Sequence, residues 1–570
     1  MDNYEIAKTF SLLGKLMDIH GENSFKAKSY SVAAFNIEKL TEELSEVPRE
    51  KLFSFAGIGE AIGKKIIEIL DTGNIEMLES LLAKTPEGIL EMMRIKGIGP
   101  KKINVIWKEM GIENIGELLY ACHENRLLLY KGFGEKTQNN VAASIQFYQD
   151  QQGNYLYAQL EKISGELFIF FEKAFGKGKV LSTGAFLRQE ETIRELEYVV
   201  AASAEKIKEE LSASDDLLFQ EASNNIFTYK VSGGIKIKLH AATAKDIVSI
   251  AFANSGSEDF LGAMRSNFPG IPKSGSKDEQ AIFDELKIQY IPPPLREFAY
   301  IVQRAKDFAI PGLIVPEDIK GIIHCHSNWS DGVNTIAQLA DACIEKDLEY
   351  LVLSDHSKAA FYARGLTEDQ VLTQHALIDE LNNKYQRGNT ISKSFKIFKS
   401  IESDILNDGA LDYSDDVLST FDLVIASVHS NLKMNEEKAM KRLLAVIENP
   451  YTIILGHMTG RLLLSRNGFP VDHKKIIDAC AANHVVIELN AHPRRLDMKW
   501  QWIPYALSKG VLISIDPDAH SIEEFKNTRY GVLAAQKGML TKESNLSSYS
   551  LPEFENFLTG VRKRKGLAGD

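Results

Sequence analysis

Apolar residues recur at three- and four-residue spacing from Ile6 to Ile19 and from Ser29 to Leu40, the period of a helix with one buried face. Three further segments repeat one theme. Gly57-Ile58-Gly59 precedes a helical pattern from Glu60 to Leu70, Gly97-Ile98-Gly99 precedes one from Pro100 to Met110, and Gly132-Phe133-Gly134 precedes one from Glu135 to Tyr148. Residues 1 to about 150 therefore read as a helical array. Beyond residue 320 the pattern changes to short apolar, β-branched runs: Gly321-Ile322-Ile323, Tyr350 to Leu353, Leu423 to Ala426, Thr452 to Leu455 and Val511 to Ile515. Helix-like stretches such as Thr335 to Glu345 and Glu436 to Glu448 lie between them. Repeated strand–helix units of this kind predict a β/α barrel whose loops converge on one face.

A glycine–apolar–glycine turn that opens a helix leaves backbone N–H groups at the positive end of the helix dipole, and glycine, lacking Cβ, lets a phosphate come close. Two of the three copies are followed by paired lysines, Lys64-Lys65 and Lys101-Lys102. The candidate DNA-contacting residues are thus Gly57, Gly59, Lys64, Lys65, Gly97, Gly99, Lys101, Lys102, Gly132 and Gly134. The segment resembles helix-hairpin-helix motifs, which grip the phosphate backbone without reading sequence.

The barrel strands carry the other chemistry. Six of the 13 histidines fall in short motifs that follow the apolar runs: His324-Cys325-His326, Asp355-His356, His429, His457 and Asp518-Ala519-His520, joined by Asp331 and Glu402. A ring of imidazoles and carboxylates at strand ends suits divalent ions. Closely spaced ions activate water and stabilise the leaving oxygen of a phosphoester.

Composition changes this picture little. A chain of 570 residues divides into three to five units, and 44% hydrophobic with 25% charged residues is ordinary for a globular protein. No run approaches the ~20 apolar residues of a membrane span, and the start, Met-Asp-Asn-Tyr-Glu, lacks a secretory core. Cys122, Cys325, Cys343 and Cys480 show no paired spacing, so cytoplasm is expected. A net charge of −12 argues against a basic face overall but locates no patches.

His324-Cys-His326-Ser-Asn-Trp-Ser-Asp331-Gly resembles the opening motif of the PHP (polymerase and histidinol phosphatase) domain. Ser354-Asp355-His356-Ser, Glu402-Ser-Asp-Ile-Leu, Ser427-Val-His429-Ser, Gly456-His457-Met-Thr-Gly-Arg461 and Asp518-Ala-His520 match its later motifs in order. The resemblance implies a distorted seven-stranded barrel with a three-metal site held by His324, His326, Asp331, His356, Glu402, His429, His457, Asp518 and His520, Glu402 bridging two ions. Manganese is the implied metal, with zinc and iron as alternatives. Asp355 would orient the site, and Arg461 and Arg495 would hold substrate phosphate. Trp329 is either a base-stacking or a packing residue. His492 is not counted among the ligands, and the basic run Arg562 to Lys565 reads as a solvated terminus.

In its order of parts the whole chain resembles the bacterial family X DNA polymerases. The implied fold is multidomain: an all-α helix-hairpin-helix region, an α+β nucleotidyltransferase-like palm and thumb, and a distorted (β/α)7 PHP barrel. The boundaries fall at 1–85 for a lyase-like helical domain, 86–150 for a fingers-like region, 151–245 for the palm, 246–298 for the thumb, 299–320 for a linker and 321–570 for the barrel, with Ile291-Pro-Pro-Pro-Leu-Arg-Glu297 joining thumb to barrel. Lys65 stands where the family's lyase lysine does. The palm departs from the family pattern, a Gly-Ser followed by Asp-x-Asp and then a third Asp. It has Gly184-Ala185-Phe186-Leu187-Arg188, then Glu195-Leu196-Glu197, with Lys238 in place of the third Asp. Two-metal nucleotidyl transfer needs short carboxylates around ions ~3.5–4 Å apart, so Gly184, Arg188, Glu195, Glu197 and Lys238 read as a degenerate polymerase site, the two glutamates facing solvent from one strand face.

These features predict a monomeric, DNA-binding, metal-dependent 3′→5′ exonuclease of DNA repair, acting on gapped or damaged DNA with polymerase activity lost. Alternatives are an active gap-filling polymerase with proofreading, a phosphoesterase for a small phosphorylated substrate, and a DNA-binding scaffold with structural metals.

Overall fold

The structure, a computed structural model, describes residues 1–567 except 56, 124–125, 152, 213, 215, 232–233, 388–393 and 465–466. The chain forms two compact units, Met1–Gln152 and Gly153–Asp570.

The first unit is all-helical around one apolar core that includes Ile6, Phe10, Leu13, Ile66, Ile103 and Val141. Its three glycine turns share one geometry. Gly57, Gly97 and Gly132 all take the left-handed conformation, with φ of 82°, 90° and 93°. Each turn closes with a backbone N–H of the middle residue donating three residues back: Ile58 to Phe55, Ile98 to Ile95, Phe133 to Tyr130. Those middle side chains, Ile58, Ile98 and Phe133, are buried plugs. The second glycines (Gly59, Gly99 and Gly134) accept the first helical hydrogen bonds and have open space where a Cβ would stand. The helix expected to run from Pro100 to Met110 instead passes at Val105 into a π-helical turn ending at Glu109. That wider turn keeps both Ile103 and Ile106 buried.

The second unit holds two sheets that matter for function. A five-stranded palm sheet runs in the order Val180–Thr183, Glu195–Val200, Lys236–Ala241, Ile226–Val231, Leu217–Ser223, with only the second and third strands parallel. Thumb-like helices around Phe252, Phe260 and Phe283 form a separate core beside it. The other sheet has seven parallel strands in strict chain order: Gly321–Cys325, Tyr350–Leu353, Lys396–Asp404, Leu423–Ser427, Thr452–Leu455, Val486–Asn490 and Ile513–Asp516. First and last strands meet where their motifs leave the sheet. Cys325 bridges to Ala519, the His326 N–H donates to Ala519 O at 2.8 Å, and the Ala519 N–H donates to His324 O at 3.2 Å. The sheet is thus a nearly closed barrel.

Helices between strands start where the side chains cap them. Thr335 forms a capping box with Gln338 ahead of Ile336–Glu345, and Asn435 accepts the Lys438 N–H ahead of Glu436–Glu448. The far end of the barrel is plugged by helix Leu551–Arg564, whose Leu551, Phe554, Leu558 and Val561 pack on Ile323, Tyr350, Phe398, Leu423 and Ile453. An apolar floor is sealed there, and the polar residues collect at the opposite rim. No helix among the described residues is long and apolar enough to cross a membrane.

Candidate metal centre

Glu402 lies within the long central strand Lys396–Asp404, and its buried carboxylate is the hub of the rim. Its Oε1 is 3.3 Å from His324 Nε2, 3.1 Å from His429 Nε2 and 3.0 Å from His457 Nε2. Its Oε2 is 2.9 Å from His356 Nδ1 and 3.7 Å from His326 Nε2. Asp518 Oδ1 sits between His324 Nε2 (3.4 Å) and His326 Nε2 (3.1 Å). Asp331 stands at the solvent side, 3.6 Å from His356 Nε2 and 3.3 Å from His520 Nε2. Three overlapping groups result: His326, Asp331, His356 and His520; His324, His326, Glu402 and Asp518; His356, Glu402 and His429. In each, one donor atom per residue lies within 4.8 Å of the others.

The donor set fits divalent ions. Buried polar atoms are normally paired, yet Glu402 Oε2, His324 Nε2 and His457 Nδ1 have no hydrogen-bond partner among the described residues. Burial alone would lower the pKa of His356, His429 and His520, but the facing carboxylates Glu402, Asp404, Asp331 and Asp518 raise them to about 10, about 9 and about 9. His326, buried and beside His520 and His356, is driven down to about 3.

The local backbone is shaped to aim these groups. The register of the first strand shifts between Ile322 and Cys325, a bulge that places His324 at φ 61°, and Asp518 opposite has φ 51°. Non-glycine residues in the left-handed region cost of order 1–3 kcal/mol and persist where surrounding structure fixes them. Here the closing seam of the barrel does so.

Two orienting carboxylates were not singled out from the sequence. Glu488 Oε2 is 2.5 Å from His324 Nδ1, and its other oxygen accepts the His457 backbone N–H at 3.1 Å. Asp404 Oδ1 is 3.0 Å from His429 Nδ1. A carboxylate on one ring nitrogen fixes the tautomer and turns the other nitrogen inward. The available signal was period-two spacing on a strand: Asp404 follows Glu402 by two, and Asn490, which donates to both Glu488 and Asp518, follows Glu488 by two. Asp355 has its partners in the loop and helix behind the ligands. It accepts the Ser327 N–H and the hydroxyls of Ser327 and Ser330, plus the Gln374 amide at 2.7 Å, and so pins the loop between His326 and Asp331.

Arg461, expected at substrate phosphate, is bound within the protein. Its guanidinium is committed to Glu191 Oε1 at 2.6 Å, Arg495 O at 2.9 Å and Leu496 O. Arg495 is the cation beside the centre, its Nε 3.7 Å from Asp518 Oδ2. Trp329 packs against the barrel core. The His492 Nδ1 accepts the Arg494 N–H. Arg562, partly exposed, donates to Phe421 O at 2.8 Å, while Lys563 and Arg564 beside it are exposed.

In the palm, Glu195 and Glu197 do share a strand face, but neither is a free solvent-facing residue. Glu195 Oε1 is 2.6 Å from Lys238 Nζ, and Glu197 Oε2 is 3.2 Å from His240 Nε2. A Cβ on Gly184 would collide with the Glu197 carboxylate. Arg188 is bound to Glu297 at 3.0 Å, and its carbonyl accepts Lys537 Nζ at 2.8 Å. In the helical unit Lys64 pairs with Glu60 at 2.6 Å in the open, and Lys65 with Glu68 at 2.5 Å, partly covered. Lys102 lies over the Phe133 ring, 5.7 Å from its centroid.

Comparison with known proteins bears on both units. A helix-hairpin-helix domain family matches residues 1–75, and a SAM-like helix-hairpin-helix tandem family matches residues 89–146. The chain is 30% identical over 579 aligned residues to the DNA polymerase/3′-5′ exonuclease PolX of Bacillus subtilis (strain 168), covering 98% of this chain and 99% of that protein. It is also 26% identical over 181 residues to a probable phosphatase of Caldanaerobacter subterraneus, covering 30% of this chain and 68% of that protein.

Proposed function

The chain belongs to the bacterial family X DNA polymerases, and from that premise we propose that it is a metal-dependent 3′→5′ exonuclease of DNA repair that cuts at its C-terminal barrel and has lost polymerase activity in its palm. The observation that carries the reading is the hub at Glu402. Five imidazoles face one buried carboxylate, with lone pairs left over for cations. The Bacillus relative's name supplies the polarity of digestion.

His324, His326, Asp331, His356, Glu402, His429, His457, Asp518 and His520 would hold the ions, manganese first, zinc or iron otherwise. Such ions supply Lewis acidity towards the phosphodiester and lower the pKa of bound water. The chain's own part is orientation. Glu488 and Asp404 turn the imidazoles of His324 and His429 inward, Asp355 fixes the loop that carries Asp331, and Arg495 offers its guanidinium to the phosphate. Residues 1–85 and 86–150 hold the DNA backbone through their glycine turns, 151–245 and 246–298 serve as spacer, 299–320 links, and 321–570 cuts. Lys238 supports the loss of polymerase activity, because its ammonium occupies the place beside Glu195 where an ion would be shared.

A gel assay tests this on a primer–template with a one-nucleotide gap, with Mn²⁺, with and without the four deoxynucleotides. Shortening of the primer is expected, and it should vanish when His324→Ala and His326→Ala are combined. The Bacillus relative is named a polymerase as well, which favours a second reading, gap filling with proofreading. Extension of the primer that survives in the double variant would establish it.

A further inference from the structure

We infer that Glu191, a palm residue far from the metal centre in sequence, is a positioning residue for cleavage: through the Arg461 guanidinium it fixes the 495–496 backbone, and with it the Arg495 side chain beside Asp518. The inference rests on the reading of the barrel as a nuclease. Its physical basis is a buried chain of contacts. Glu191 and Arg461 are nearly covered, with side chains 14% and 7% exposed, and their 2.6 Å contact crosses from palm to barrel. Arg461 spends its other donors on the carbonyls of Arg495 and Leu496. Asp497, next in line, accepts the N–H and hydroxyl of Thr459 and the Arg461 N–H. One brace thus joins the segment after His457 to the segment that carries Arg495, whose Nε faces the Asp518 carboxylate.

Glu191 is itself held in place. Its carbonyl accepts the Tyr157 N–H, and the following residues Thr192 and Ile193 pair with Leu156 and Tyr155. Its neighbour Glu190 reaches Lys537, whose side chain is fully buried in the barrel's helix Thr528–Lys537. A guanidinium this covered needs a counter-charge. Without Glu191, the guanidinium loses the carboxylate that holds it against the 495 and 496 carbonyls. A palm that no longer polymerises therefore still shapes the cutting site.

The test is a double-variant cycle of Glu191→Gln and Arg461→Gln, with Glu191→Asp as the conservative change. Exonuclease kcat and KM are read on gapped DNA with Mn²⁺. Hydrogen–deuterium exchange of residues 494–498 is read on the metal-free protein. Glu191→Gln is expected to lower kcat about tenfold with KM nearly unchanged and to speed exchange across 494–498. Glu191→Asp should restore part of kcat, and Glu191→Gln should add no further loss in the Arg461→Gln background. Additive losses, or exchange and kcat equal to wild type in Glu191→Gln, would overturn the inference. If wild type shows no cleavage dependent on His324 and His326, the nuclease reading fails instead, and the exchange measurement still decides whether Glu191 holds the 494–498 segment.

Discussion

Glu402 in the barrel and Glu195 in the palm are both strand carboxylates met by nitrogen atoms at hydrogen-bond distance, and they are held for different ends. Glu402 is fully buried among imidazoles, groups that have a lone pair to give once a proton is lost. Glu195, about a quarter exposed, meets the ammonium of Lys238, which has three donors and no lone pair. Burial of the Lys238 amine would lower its pKa, but the bond and charge of Glu195 together with the charges of Glu197 and Glu221 raise it. The first arrangement has lone pairs to offer a cation. The second already contains one. What decides whether a buried carboxylate is a ligand or half of an ion pair is the basicity of its neighbour.

The most severe way to break that contrast is Glu402→Gln. Removing the shared anion should lower metal affinity and exonuclease rate by more than about 100-fold, as read by calorimetric Mn²⁺ titration and the gel assay. Glu488→Gln leaves every proposed ligand in place but frees the His324 ring. A loss of roughly 10- to 100-fold in the same two measurements is expected, and an unchanged affinity would mean the ring is held by packing alone.

The junction between palm and barrel gives a pH test. Burial and the Glu297 carboxylate push Glu190 up to about 7, while Glu297 keeps the closer contacts to Lys537 and Arg188. A raised folded pKa means that Glu190's contribution is full below its ordinary value near 4.5 and is lost as pH rises through about 7. Wild type should therefore lose on the order of 1–3 kcal/mol between pH 4.5 and 7.5 that Glu190→Gln does not lose, measured as the difference between their denaturation midpoints across that range.

The smallest effect belongs to the palm pair. Lys238→Ala removes a partly exposed ion pair, so stability should fall by no more than about 1 kcal/mol, and exonuclease rate should stay within about threefold of wild type. A large loss of cleavage in this variant would show that the palm carboxylates serve the barrel after all.

Much of this contrast could be read from the sequence because it rests on short-range regularities. Strand ends were marked by β-branched runs, and the helix Glu436–Glu448 was read to the residue, since Asn435 caps it and Glu436 and Glu437 open its first turn. The glycine turns were legible as three copies of one conformation. Contacts that join distant parts of the chain were not. Arg461 was read as a phosphate ligand because its motif suggested so, and nothing local in Glu191 announces its partner 270 residues away. Glu488 was hidden in the short strand Val486–Asn490, where its period-two partner Asn490 falls at the strand's last position. The π-helical turn at Val105–Glu109 likewise follows a pattern that periodicity assigns to an ordinary helix.

The seam between Cys325 and Ala519 carries a consequence in time. The ligands at either side of it are made almost two hundred codons apart, and the first strand waits unpaired on its outer edge until the last one leaves the ribosome. A growing chain therefore completes its glycine turns long before its ring of imidazoles and carboxylates, so a product truncated ahead of Asp518 would carry the first without the whole of the second.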